Sequence, residues 1–143
     1  MRNQGARDSR TSRQPPLARR RTPDEDGPPD AIVYSKELHL DFDRRVIVVR
    51  GKTVHLAPKE FELLRYLVAN RGRPVSHQRV LRAVWGPAFG DQRERLRVVI
   101  NELRKKIEAH PARPKYIVTE FCVGYRFVFP EGVRIQRGHS VGR

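Results

Sequence analysis

Leu96, Ile100, Leu103 and Ile107 recur at i, i+4, i+7 and i+11. In a helix turning about 100° per residue, that spacing aligns four aliphatic side chains along one narrow face. It predicts an amphipathic helix over residues 92–108 whose apolar stripe must dock on other elements. Asp91 and Glu94 resemble a capping box at its start. With the stripe turned inward, Arg97, Asn101 and Arg104 fall together on one flank, bordered by Glu94, Val98 and Lys105. Arg95, Glu102 and Lys106 fall on the other flank, where Glu102 and Lys106 have the spacing of an i, i+4 ion pair and the surface reads as ordinarily solvated.

The elements around this helix follow from period and punctuation. Leu38, Leu40 and Phe42 alternate with polar residues as a half-buried strand requires. Residues 46–49 form a second strand, and Arg50-Gly51 turns tightly into a third at 52–56. Pro58 suits the first position of a helix carrying Phe61, Leu64, Leu67 and Val68, which Gly72 and Pro74 end. Ser76 caps a second helix striped by Val80, Leu81, Val84 and Trp85, and a loop of Gly86, Pro87, Ala88, Phe89 and Gly90 leads into the third. After Pro111 and Pro114, residues 116–121 and 125–129 read as a hairpin with Gly124 at the bend. The fold class is therefore α+β: an N-terminal antiparallel sheet, three helices of which the last two form a helix–loop–helix, and a C-terminal hairpin, with the domain spanning 32–130. Residues 1–31 read as a disordered basic arm and linker, too poor in apolar side chains to offset the entropy of ordering, and residues 131–143 as a flexible tail.

Charge narrows the function. The 143 residues hold 30 Lys and Arg against 16 Asp and Glu, a formal net charge of +14. Like charges oppose compaction, so an excess of this size points to a polyanionic partner. It is unevenly placed: residues 59–115 hold fourteen bases against six acids, while residues 23–58 hold seven acids against five bases. Cys122 is the single cysteine, which excludes an intramolecular disulfide and fits a reducing cytoplasm. No apolar run reaches the roughly 18 residues of a membrane span. The five histidines lack metal-ligand spacing, and there is no phosphate-cradling glycine loop or nucleophile elbow. Catalytic residues, metal and cofactor are accordingly not expected.

Arg makes paired hydrogen bonds to guanine, Asn does so to adenine, and Val suits a thymine methyl, all in a major groove wide enough for a helix. Arg97, Val98, Asn101 and Arg104 are therefore the candidate base readers, with Glu94 and Lys105 beside them. The hairpin tip can approach the minor groove or backbone, and Thr119, Tyr125 and Arg126 can donate to phosphates, although Tyr125 has a second reading as core packing. No activating residue adjoins Cys122 in sequence, so an inert thiol is expected there. The expected function is sequence-specific duplex DNA binding and transcription regulation. An RNA- or ribosome-associated protein, or a polymerase-gripping module with little sequence specificity, are the alternatives.

The stretch from about Leu38 to Phe129 resembles the DNA-binding domain of OmpR/PhoB-type response regulators of two-component phosphorelay systems. The resemblance is carried by LAPKEFELL at 56–64, Val80-Leu81 with Trp85-Gly86, LRVVI at 96–100, LRKKIE at 103–108 and GYRF at 124–127. Gly90-Asp91-Gln92 and Pro111-Ala112-Arg113-Pro114 are most similar to the branch controlling the high-affinity potassium-uptake operon. The resemblance implies a winged helix with a four-stranded N-terminal sheet, and head-to-tail dimers on direct promoter repeats. It also implies a polymerase contact by the loop Gly86 to Gly90, backbone contact by Trp85, DNA contact by Arg97 and Arg104, and wing contact by Thr119 and Tyr125. This sequence departs from the family in three ways. Residues 1–31 are too short for a receiver domain, so phosphorylation-driven dimerisation in cis is not expected unless the chain is a fragment or remnant of a longer regulator. Cys122 stands where Gly is usual, which strains the wing turn, and Ala57 replaces a Ser or Thr cap.

Overall fold

The computed structural model describes residues 31–137. Strands β1 (Ala31–Tyr34), β2 (Leu38–Asp41), β3 (Val46–Val49) and β4 (Lys52–Val54) form an antiparallel meander. Arg50 and Gly51 both have positive φ, 48° and 83°, as the two-residue turn between Val49 and its partner Lys52 demands. Helix α1 (Pro58–Ala69) follows, then a short strand β5 (Val75–Ser76), α2 (His77–Trp85), a 3₁₀ turn (Pro87–Phe89) and α3 (Arg93–Ile107). The hairpin is β6 (Ile117–Glu120) and β7 (Gly124–Phe127), and a last strand, β8, spans Arg134–Arg137.

Leu96, Ile100, Leu103 and Ile107 are all fully buried, against a core that includes Leu63, Leu64 and Leu67 of α1 and Val80 and Leu81 of α2. The apolar stripe thus seats α3 in the three-helix layer. Ser76 caps α2 by accepting from the Arg79 N–H at 3.1 Å. Ala57 offers α1 no side-chain cap, but Glu60 reaches back to accept from the Ala57 N–H at 2.9 Å, which supplies the other half of a capping box.

Several expectations need correction. Asp91 and Glu94 do not cap α3: its N-cap is Gln92, with no side-chain cap hydrogen bond. Glu102 pairs with Lys105 at 3.1 Å, and Lys106 instead reaches the buried Glu60 at 2.6 Å. Strand β4 ends at Val54, and the hairpin strands are shorter than their sequence patterns. Gly124 is not the bend, which residues 121–123 make; it opens β7, where a Cβ would sit 1.9 Å from the Val75 carbonyl oxygen. A missing side chain there lets β5 pair with β7 and bind the hairpin to the helices. Residues 131–137 are not a tail. β8 pairs with β1 across Ile32↔Gln136 and Val33↔Ile135, giving a five-stranded sheet in the order β4-β3-β2-β1-β8 rather than four strands. Of the arm expected at 1–31, Ala31 belongs to β1, and residues 1–30 lie outside the described residues, as do 138–143.

Candidate nucleic-acid interface

Once the stripe is buried, the line of α3 farthest from the core is Glu94, Val98, Asn101 and Lys105, again at i, i+4, i+7 and i+11. All four are exposed. Val98 keeps 53% of its surface in solvent. The Asn101 side-chain amide has no hydrogen-bond partner among the described residues. Beside this line, Arg97 extends with its side chain 66% exposed, 3.8 Å from Glu94, a contact too long and too wet to immobilise it. Arg97, Val98 and Asn101 are therefore brought together with their recognition groups open.

Arg104 is placed differently. Its Nε and Nη2 donate to the Ile117 carbonyl at 3.1 and 2.8 Å, and Nη2 donates to Thr119 Oγ1 at 2.9 Å. Its guanidinium also lies 5.7 Å from the Tyr125 ring centroid. Burial pulls its pKa below the ordinary guanidinium value, with Tyr125 and Glu108 opposing the shift. Arg104, expected as a base reader, here clamps the first strand of the hairpin to the third helix. Glu108, just beyond α3, completes the joint. Its buried carboxylate accepts from the backbone N–H groups of Lys115, Tyr116 and Ile117 at 2.8–3.2 Å.

The remaining hairpin residues divide. Thr119 is exposed, with its hydroxyl engaged by Arg104. Tyr125 is 7% exposed and meets the His77 ring edge-on at 5.5 Å, which favours its core reading. Arg126 is half-buried and paired with Glu120 at 2.6 Å. At the tip Cys122 adopts φ 66°, the left-handed conformation the sequence predicted to be strained for a residue with a side chain. His77, behind the tip, has its pKa lowered by burial first and then by the cations of Arg93 and Arg97.

On the other side of α3, Trp85, Lys59, Gln92, Arg95, Val98 and Val99 line an open groove. Lys59 Nζ donates to the Val84 carbonyl at 2.9 Å, closing the end of α2 against the start of α1. Arg95, expected to be merely solvated, donates to Gln92 Oε1 at 2.9 Å with its guanidinium 5.2 Å from the Phe89 ring, so it props the loop 86–90 against α3. No group of three or more His, Cys, Asp or Glu among the described residues is arranged to hold a metal, and no described helix is long and apolar enough to cross a membrane.

Residues 51–127 match the family described as transcriptional regulatory protein, C terminal. The chain belongs to this family. It is 39% identical over 100 residues to the KDP operon transcriptional regulatory protein KdpE of Escherichia coli, covering 70% of this chain and 44% of that protein. Its fold matches the response regulator DrrB of Thermotoga maritima, an OmpR/PhoB homolog, at TM-score 0.57 and 35% identity, over 68% of this chain and 44% of that one. It also matches the RstA DNA-binding domain of Klebsiella pneumoniae in complex with the RstA box, at TM-score 0.61 and 26% identity, over 67% of this chain and 96% of that one. The chain spans less than half the length of the curated relatives it matches. The fold is the winged helix, with β6 and β7 as its wing, and the family is one of DNA-binding transcription regulators rather than of enzymes.

Proposed function

We propose that α3 enters the major groove of promoter DNA, that Arg97, Val98 and Asn101 read base edges, and that Lys105 neutralises phosphate. The observation that carries this reading is that the three recognition side chains remain open on the helix face opposite the buried stripe, while neighbouring Arg104 is consumed by the wing. An arginine that supports the wing still shapes the complex, because it sets the angle at which wing and helix meet the duplex. Trp85, at the rim of its groove, is suited to a backbone contact. Thr119 and Arg126 face the backbone from the wing, and Tyr125 contributes by packing.

In this reading two copies sit head to tail on direct repeats, and the loop of Gly86, Pro87, Ala88, Phe89 and Gly90, braced by Arg95, touches RNA polymerase. The site of action is the nucleoid in the cytoplasm. Site selection from random duplexes tests the assignment. Arg97→Ala should weaken the selected site by about 1–3 kcal/mol and relax preference at one base pair, whereas Lys105→Ala should weaken all sequences alike and reduce the salt slope by about one. Unchanged preference in Arg97→Ala removes Arg97 as a reader, and equal affinity for structured RNA at matched salt removes the duplex reading.

A further inference from the structure

The wing tip is apolar in a strongly basic chain. Phe121, Cys122, Val123 and Gly124 carry no charge, Phe121 is 87% exposed and Val123 45%. The tip is also stiff. The Val123 N–H donates to the Glu120 carbonyl at 2.9 Å, the His77 N–H donates to the Val123 carbonyl at 3.3 Å, and Gly124 lies directly against β5. Cys122 and Val123 line one recess with Asp91, Arg93 and with His77 and Gln78 of α2, so the tip stands beside the first turns of α2 and α3. Arg93 and Arg97 both act on His77 behind the tip, so two cations stand against the single carboxylate of Asp91 there.

We propose that Phe121 is a wedge that inserts from the minor groove between two base pairs and partly unstacks them. This rests on the major-groove reading of α3 above. The partner is set by charge: beside the apolar tip Arg93 and Arg97 outweigh Asp91, and Glu120 is already paired with Arg126, which leaves a net positive surround that a polyanion would neutralise. A tip without a cation gains nothing from the negative potential of a narrow minor groove. What it presents is an aromatic face on a rigid stem, the kind of side chain that kinks a duplex by entering a base step. Pyrimidine–purine steps unstack most readily, so the wing adds a preference for TA or CA at the step beneath it, without a hydrogen bond to any base.

The test uses the full chain on a duplex recovered by site selection, with 2-aminopurine placed at successive steps, and on circularly permuted fragments for bend angle. Bound wild type should raise 2-aminopurine emission several-fold at one pyrimidine–purine step and bend the fragment. Phe121→Ala should abolish both signals and weaken binding about ten-fold, leave base preference beneath α3 unchanged, and melt with wild type. Phe121→Leu should retain part of the bend. The proposal is overturned if Phe121→Ala bends and unstacks as wild type does, or if it alters only self-association or polymerase capture, which would assign the tip to a protein. A chain that unstacks a step yet shows no preference beneath α3 would remove the α3 reading and leave the wedge standing.

Discussion

Gly124→Ala isolates the close approach that fastens the wing to the helices. The new Cβ would lie 1.9 Å from the Val75 carbonyl oxygen and 2.9 Å from the Ser76 Cα, both backbone atoms that no rotamer change can move. An ordinary carbon–oxygen contact is about 3.3 Å or more, so β5 must retreat from β7 by roughly 1.4 Å, enough to break a hydrogen bond. β5 and β7 pair through only two residue pairs, Val75↔Tyr125 and Ser76↔Gly124. Two backbone hydrogen bonds at about 0.5–1.5 kcal/mol each, with partial exposure of Val75 costing about 1 kcal/mol more, give about 2–4 kcal/mol. For a domain near 100 residues this lowers Tm by about 10–25 °C, read by thermal and urea unfolding. Gly72→Ala is the control. Gly72 has φ 83° with nothing near its missing Cβ, so it should cost only backbone strain of about 1–2 kcal/mol. If Gly124→Ala melts within about 3 °C of wild type, the β5–β7 contact does not hold the wing and the reasoning fails.

Three further outcomes are expected. Glu108→Ala strands the buried N–H groups of Tyr116 and Ile117, frees the part-buried one of Lys115, and should cost about 2–5 kcal/mol, with urea unfolding as the readout; a loss below about 1 kcal/mol would show the cradle to be dispensable. Arg104→Met removes the donors to Ile117 and Thr119 and should destabilise by about 1–3 kcal/mol while weakening DNA binding without changing base preference; a relaxed preference would return Arg104 to the base readers. His77 is held below its ordinary value of 6.5 by burial and then by Arg93 and Arg97, so the unfolded chain takes up its proton first as pH falls. Stability from His77 is therefore fully present above that value and declines as pH drops through it, and His77→Gln should flatten this slope in melts across that range.

What was legible in the sequence was whatever repeats locally. The α3 stripe, the Arg50-Gly51 turn, the Ser76 cap and the open flank around Arg97 all follow from spacings of a few residues. The uses of Arg104, Lys106 and Glu108 did not, because each is decided by a partner far along the chain: Ile117, Glu60 and the 115–117 backbone. A helical wheel places Arg104 beside Arg97 and cannot see the wing that claims it. Gly124 carries the same lesson, since a glycine needed for close approach looks in sequence like one needed for a bend. β8 was missed because Ile135 is its single apolar residue; strand pairing with β1 orders that segment rather than burial.

The most direct test of the account is methylation protection of the selected duplex, because dimethyl sulfate reports guanine N7 in the major groove and adenine N3 in the minor groove separately. Bound wild type should protect guanine N7 within each half-site, and Arg97→Ala should re-expose one of those guanines while the others stay covered. Protection confined to adenine N3, or an N7 pattern identical in the variant, would contradict the claim that α3 reads the major groove through Arg97.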